Sequence, residues 1–223
     1  MKAVCLLSGG MDSTTLAYLA KDMGYDIIAL HLRYGQPTED AEYAAAKKIA
    51  ELLDACEFFE VNLDYLLRIG GSALTDAAIE IQDHAEGEAG GMPATYVPFR
   101  NANLLAIATS LAEARGAEAI FIGVQASDYA GYPDCRPEFI EAFQAAIDAG
   151  TADGTQITLR TPFVRMTKAE ILQVGFDLGV PYQYTWSCYR SSSPACGTCD
   201  SCHYRLEAFR HHGVDDPIDY EGR

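Results

Sequence analysis

Basic residues are scarce in this chain: 16 Lys and Arg stand against 32 Asp and Glu in 223 residues, a formal charge of -16. A surface so acidic repels a polyanion, and no run of five or more basic residues offers a local exception, so direct nucleic-acid binding is disfavoured. Long hydrophobic runs are also missing. Nothing approaches the roughly 18 apolar residues of a membrane span, and the opening Met1–Leu7 run breaks at Ser8-Gly9-Gly10, too short for a signal peptide. A cytoplasmic protein without membrane contact is expected. Repeats and low-complexity tracts are absent as well. Two nucleotide-binding signatures are not found: no Gly-Lys-Ser/Thr of a Walker A loop and no Gly-x-Gly-x-x-Gly. These omissions argue against a cradle for a γ-phosphate and against a dinucleotide site.

What is present is alternation. Residues 2–7 form a continuous apolar run, and Leu16, Leu19, Ala20 and Met23 then recur at helical spacing. Strands follow at 25–32, 57–61, 119–124 and 156–161, with helices at 38–55, 101–115, 137–149 and 167–178, Thr38 being the expected N-cap of the second. Strands alternating with helices of ten or more residues imply right-handed crossovers and an α/β fold, a doubly wound parallel sheet covered on both faces. The pattern lapses at about 69–93, an acidic, glycine-containing tract expected to be a mobile loop. The composition allows one principal domain, 1–183, with a small C-terminal module at 184–223.

Ser8-Gly9-Gly10-Met11-Asp12-Ser13 lies after the first strand and opens the first helix. Two glycines permit a tight turn and a close ligand, and amides at a helix start point outward with the positive end of the dipole behind them. A pyrophosphate suits that cradle. Ser8 and Ser13 can add hydroxyl donors, while Asp12 can cap the helix or help hold a magnesium ion. The end of the second strand, Leu30-His31-Leu32, falls at the carboxyl edge where ligands bind, with its backbone available to adenine. The His31 side chain by itself reads as a core histidine.

Cys188, Cys196, Cys199 and Cys202 supply four thiols at C-x7-C-x2-C-x2-C spacing. Four thiolates close a tetrahedral shell, the arrangement of structural zinc. An iron–sulfur cluster also accepts C-x2-C-x2-C, but the ferredoxin continuation x3-Cys-Pro is missing. Cys5 and Cys56 read as inert core residues, and Cys135 as a packing residue rather than a nucleophile.

The Ser-Gly-Gly-x-Asp-Ser signature resembles that of the PP-loop ATP pyrophosphatases, which adenylate a carbonyl oxygen. Leu7–Thr15, Tyr34-Gly35-Gln36, Val97-Pro98-Phe99-Arg100-Asn101, Gly131–Phe139 and Thr185-Trp186-Ser187-Cys188 with the three later cysteines are similar to successive blocks of the 7-cyano-7-deazaguanine synthases. That resemblance spans nearly the whole chain. It implies an ATP-dependent carbon–nitrogen ligase of queuosine biosynthesis, a homodimer carrying one structural Zn2+, using Mg2+ with ATP to convert 7-carboxy-7-deazaguanine and ammonia into the nitrile. Pro37-Thr38 and Phe99 depart from the family pattern, which leaves substrate contacts near those loops open.

The resemblance implies a nucleotide site of Ser8, Gly9, Gly10, Met11, Asp12, Ser13, Thr14, Leu30, His31 and Leu32. Catalytic roles fall to Asp12, Ser13, Arg100 and Lys168, with a solvated helix-end lysine and a surface ion pair as the alternatives for Lys168 and Arg100. Asn101, Tyr132, Asp134 and Arg136 are the expected substrate contacts, Asp134 accepting from the base and Arg136 holding its carboxylate. The rivals are a PP-loop enzyme acting on tRNA and a non-catalytic zinc-binding module.

Overall fold

A computed structural model describes residues 1–84, 92–126, 128 and 131–222. Five parallel strands, β1 (Lys2–Leu6), β2 (Asp26–Arg33), β3 (Glu57–Asn62), β4 (Ala119–Phe121) and β5 (Thr158–Arg160), form one sheet in the order β3-β2-β1-β4-β5. Helices α1 (Met11–Asp22), α2 (Glu39–Leu52), α3 (Tyr65–Ile69), α4 (Arg100–Arg115), α5 (Pro137–Gly150), α6 (Lys168–Asp177) and α7 (Asp200–His211) connect and flank the strands.

Strand residues point alternately to the two faces, so each central strand feeds two cores. Val4, Ile28, Leu30 and Ile120 pack with Leu105, Ala108 and Leu111 of α4 on one face. Ala3, Cys5, Ile27, Ala29 and Phe121 pack with Leu16, Ala17 and Ala20 of α1 and Ala46 and Ile49 of α2 on the other. This is the expected doubly wound sheet. Order reverses between β1 and β4, and the crevice outside the carboxyl ends of strands at such a switch point is where ligands bind.

Several boundaries differ from expectation. Strand β4 ends at Phe121, because the chain beyond leaves the ladder to form a cavity wall, although the Ile122 amide still donates to Arg160 O at 3.1 Å. The five residues of α3 are too few to show a period. Thr38 does stand before α2 but does not cap it with its side chain; its one hydroxyl proton is shared instead between Glu42 Oε1 (2.9 Å) and Cys188 O (3.0 Å).

The tract expected as a mobile loop is partly anchored: Ser72, Ala73, Leu74 and Thr75 are buried, and His84 N donates to Thr198 O at 2.8 Å. Residues 85–91 of that tract lie outside the described residues. Cys56 is exposed rather than in the core, its thiol donating to Ile27 O, whereas Cys5 is fully buried. In the C-terminal segment, Ala208 and Phe209 of α7 share a core with Met11, Leu172 and Tyr182, so this helix packs directly on the nucleotide-loop side of the sheet. Gly175 of α6 makes room there: a Cβ would collide with the Tyr182 hydroxyl, which reaches Thr15 Oγ1 at 2.8 Å.

Candidate active site at the switch point

The Ser8–Ser13 turn takes its shape from Gly9, whose φ of +85° lies in the left-handed region. A Cβ there would meet Glu42 O at 2.6 Å and Ala46 N at 2.7 Å, so Gly9 and the alanines of α2 let loop and helix touch. Across the loop, Trp186 N donates to Gly9 O at 2.9 Å, tying the C-terminal segment to the turn. Gly10 N donates to Ser8 Oγ (3.3 Å), and the two hydroxyls of Ser8 and Ser13 meet at 2.9 Å.

Beside this turn opens a cavity of about 280 Å³, near the lower end of small-molecule sites. Its walls bring together Ser8, Gly10, Met11, Asp12, Ser13, Leu30, Leu32, Arg100, Asn101, Tyr132 and Lys168 from the sequence-derived set. Gly9, Thr14 and His31 are not in the walls. Thr14 is fully buried and its amide makes the first bond of α1 to Gly10 O, so that amide is not free for a phosphate. His31 points to the opposite sheet face, where its ring stacks on Phe58 and Nδ1–H donates to Leu7 O at 2.8 Å. Burial pushes its pKa down, so the ring is a neutral core group.

Two substrate assignments change. Asp134 is buried and turned away from the cavity: Oδ2 accepts from Asn101 N at 2.8 Å in the first turn of α4, where an acid satisfies an otherwise orphaned amide. Arg136 is exposed at the start of α5 and lines no part of the cavity. Asn101 itself is held by Asp134 O and Cys135 Sγ, both at 3.1 Å. Burial pushes the Cys135 thiol up to about 12, which removes it as a nucleophile.

Lys168, at the first position of α6, reaches Asp12 Oδ2 at 3.0 Å. Asp12 Oδ1 and Gln125 Oε1 are buried without partners, and Asp128 stands near enough to both Asp12 and Lys168 to feel their charges. Burial first, with Asp12 adding, raises Asp128 to about 6. Oxygen acceptors with no donors suit a hard cation such as Mg2+. Sequence reasoning missed Gln125 and Asp128, which follow a strand end without any motif spacing to mark them.

Also in the cavity wall, Arg100 Nη1 donates to Tyr34 OH at 3.0 Å, and the guanidinium lies over the Tyr34 ring. No carboxylate of the described residues pairs with it within 4.0 Å. Among the described residues, then, the surface ion pair considered for Arg100 is not formed. Phe99, before it, has φ +55° and is exposed, which explains why a small residue would sit there more easily.

On the C-terminal flank the sulfurs of Cys188, Cys196, Cys199 and Cys202 all lie within 4.8 Å of one another. Amides of Arg190, Ser191 and Cys196 point at Cys188 Sγ (3.3–3.4 Å), and thiol donors from Cys199 and Cys202 pull the Cys188 pKa well down. Sulfurs this close, three of them on buried cysteines and with amides directed at them, form a closed shell that fits one metal ion. Arg205, sealed inside with Asp216 (Nε–Oδ2 2.6 Å, Nη2–Oδ1 2.9 Å), also donates to Thr185 Oγ1 and Tyr182 O and so fixes the segment leading to Trp186. Among the described residues, no helix is long and apolar enough to cross a membrane.

Fold and loop together define an α/β nucleotide-binding protein of the PP-loop type. Residues 2–213 match the family described as queuosine biosynthesis protein QueC, and the chain belongs to that family. It is 65% identical over 220 residues to the 7-cyano-7-deazaguanine synthase of Methanoculleus marisnigri, covering 99% of each chain. It is 53% identical over 223 residues to that of Haloarcula marismortui, covering all of this chain and 96% of the relative. Among solved structures, a predicted subunit of a tRNA methyltransferase from Methanocaldococcus jannaschii superposes with a TM-score of 0.53 at 14% identity, covering 97% of this chain and 90% of that one, a likeness of fold alone.

Proposed function

We propose that this chain converts 7-carboxy-7-deazaguanine and ammonia into 7-cyano-7-deazaguanine with two molecules of ATP, each cleaved to AMP and pyrophosphate. The observation that carries the reading is the Lys168–Asp12 pair beside an uncapped glycine turn, in a cavity also lined by Arg100, which has no carboxylate within 4.0 Å among the described residues. Nitrile formation removes both carboxylate oxygens, and neither leaves readily as hydroxide. In the first half the substrate carboxylate attacks the α-phosphorus and pyrophosphate leaves; ammonia then displaces AMP to give the amide. In the second half the amide oxygen attacks another α-phosphorus, and loss of AMP with two protons from nitrogen yields the nitrile.

The protein's work is positioning and charge stabilisation. Ser8, Gly10, Met11 and Ser13 line the side of the cavity assigned to pyrophosphate, and Lys168 offsets charge growing there. Asp12, with Asp128 and Gln125, would hold a Mg2+ that neutralises the triphosphate. Leu30 and Leu32 bound the adenine, with His31 contributing only backbone. Arg100 pairs with the substrate carboxylate, and Asn101 and Tyr132 bound the base. Zn2+ would occupy the four-cysteine shell in a structural role. We place the protein in the cytoplasm as a homodimer, on the family's pattern.

Mass spectrometry of the products formed from ATP, ammonium and 7-carboxy-7-deazaguanine tests this reading. Nitrile is expected, with the amide as a transient. An untouched base, with or without ATP consumption, overturns it.

A further inference from the structure

With Asp134 turned away from the cavity, a half-buried carboxylate on another wall is placed to meet the polar edge of the base. Glu42, on the first turn of α2, lines the cavity together with Gln36, Thr38, Arg100 and Tyr189. Its oxygens are held apart by two neutral donors: Thr38 Oγ1 donates to Oε1 at 2.9 Å and Gln36 Nε2 to Oε2 at 3.0 Å. Both groups are themselves fixed: the single Thr38 proton is shared between Glu42 Oε1 and Cys188 O, and Gln36 accepts from Tyr34 N at 3.0 Å. Among the described residues no Lys or Arg nitrogen comes within 4.0 Å of it.

A carboxylate offers about four lone-pair positions, two per oxygen. Two are taken, and each oxygen keeps one for a ligand. We propose that Glu42 reads the base by accepting from its ring N1–H and exocyclic 2-amino group, one donor to each oxygen, while Arg100 holds the carboxylate at the opposite end. This rests on the substrate reading above and deepens it.

The chemistry of the pair is selective. A guanine-type edge presents two adjacent donors, which a carboxylate matches without moving a proton. An adenine edge presents one donor and one acceptor, and an ionised Glu42 has no hydrogen for the acceptor, so the site favours the deazaguanine over the adenine of ATP. Arg100 lies close enough to act on Glu42 electrostatically yet forms no ion pair with it, which leaves the two ends of a planar bicyclic ligand to separate groups. Burial raises the Glu42 pKa, as expected for an acid awaiting uncharged donors rather than a fixed cation.

The test compares wild type and Glu42→Gln with 7-carboxy-7-deazaguanine and with its analogue lacking the 2-amino group. Gln is isosteric, and the Thr38 hydroxyl can turn to accept from its amide, so melting temperature and KM for ATP should stay close to wild type. Wild type is expected to prefer the true base by about 100-fold or more in kcat/KM, because the analogue leaves a buried acceptor unpaired. Glu42→Gln should lose most of its rate with the true base, through KM for the base, and the preference should fall to within about tenfold. Preference retained in the variant, or a rise in KM for ATP instead, overturns the role of Glu42 while leaving the reaction standing. A wild type that turns over neither base overturns both.

Discussion

Lys168 Nζ stands 3.0 Å from Asp12 Oδ2, joining the first residue of α6 to the first turn of α1 across the mouth of the phosphate loop. Both side chains are about one-fifth exposed, so the pair is accessible to a ligand rather than locked in the core. Lys168→Ala is therefore expected to lower kcat by about 10²–10³, the range for removing one preorganised group from a developing charge, with little change in melting temperature. Asp12→Asn should weaken the dependence of rate on Mg2+. Steady-state kinetics across a Mg2+ titration checks both; unchanged kcat in Lys168→Ala would remove the lysine from the chemistry.

Gly9→Ala should be far more damaging than its size suggests. The new Cβ meets backbone of α2 at 2.6–2.7 Å and occupies a φ of +85°, two penalties of about 1–3 kcal/mol each. Denaturant unfolding is expected to show a loss of roughly 2–6 kcal/mol, with nucleotide binding weakened in parallel.

Asp128 links stability to pH. Its carboxyl is raised to about 6 from an ordinary 3.8, chiefly by burial, so between those values the folded chain holds its proton more tightly than the unfolded chain. Its contribution is favourable in acid and is withdrawn as pH rises through about 6, an effect of roughly 2–3 kcal/mol at about 1.4 kcal/mol per pH unit. Asp128→Asn should accordingly melt several degrees higher than wild type at pH 8 and equally at pH 4. Saturating Mg2+ should narrow the gap at pH 8 by stabilising wild type.

Metal removal should reach the active site through Cys188, whose carbonyl accepts the Thr38 hydroxyl and whose neighbour Tyr189 lines the cavity. Cys199→Ser is expected to lose metal and to lower the melting temperature by at least about 10 °C, at roughly 2–4 °C per kcal/mol for a chain of this size. Elemental analysis should find one zinc per wild-type chain; iron with visible charge-transfer bands would replace zinc by a cluster.

Contiguous features were the ones legible in the sequence. The phosphate loop declares itself because strand, glycine turn and helix follow one another, and the cysteines because a metal shell has short spacings. The strand order could be reasoned only as a class, and β4 was read too long because a continuous apolar run to Val124 does not show where pairing stops. Asp134 was assigned to the ligand because it lies among suggestive neighbours, yet side-chain direction depends on α4, over thirty residues earlier. Glu42 sits in an acidic first turn with Glu39 and Asp40, where an extra carboxylate reads as a solvated helix start. Only the approach of Tyr189 and Arg100 from distant segments makes it a cavity residue. The Arg205–Asp216 pair likewise joins α7 to the chain beyond it, with no pattern to announce it.

Phosphorus NMR of the spent nucleotide during turnover is the most direct test of how ATP is cut. AMP and pyrophosphate in equal amounts, two of each per nitrile formed, are what a loop gripping the outer phosphates requires. ADP and inorganic phosphate would contradict it.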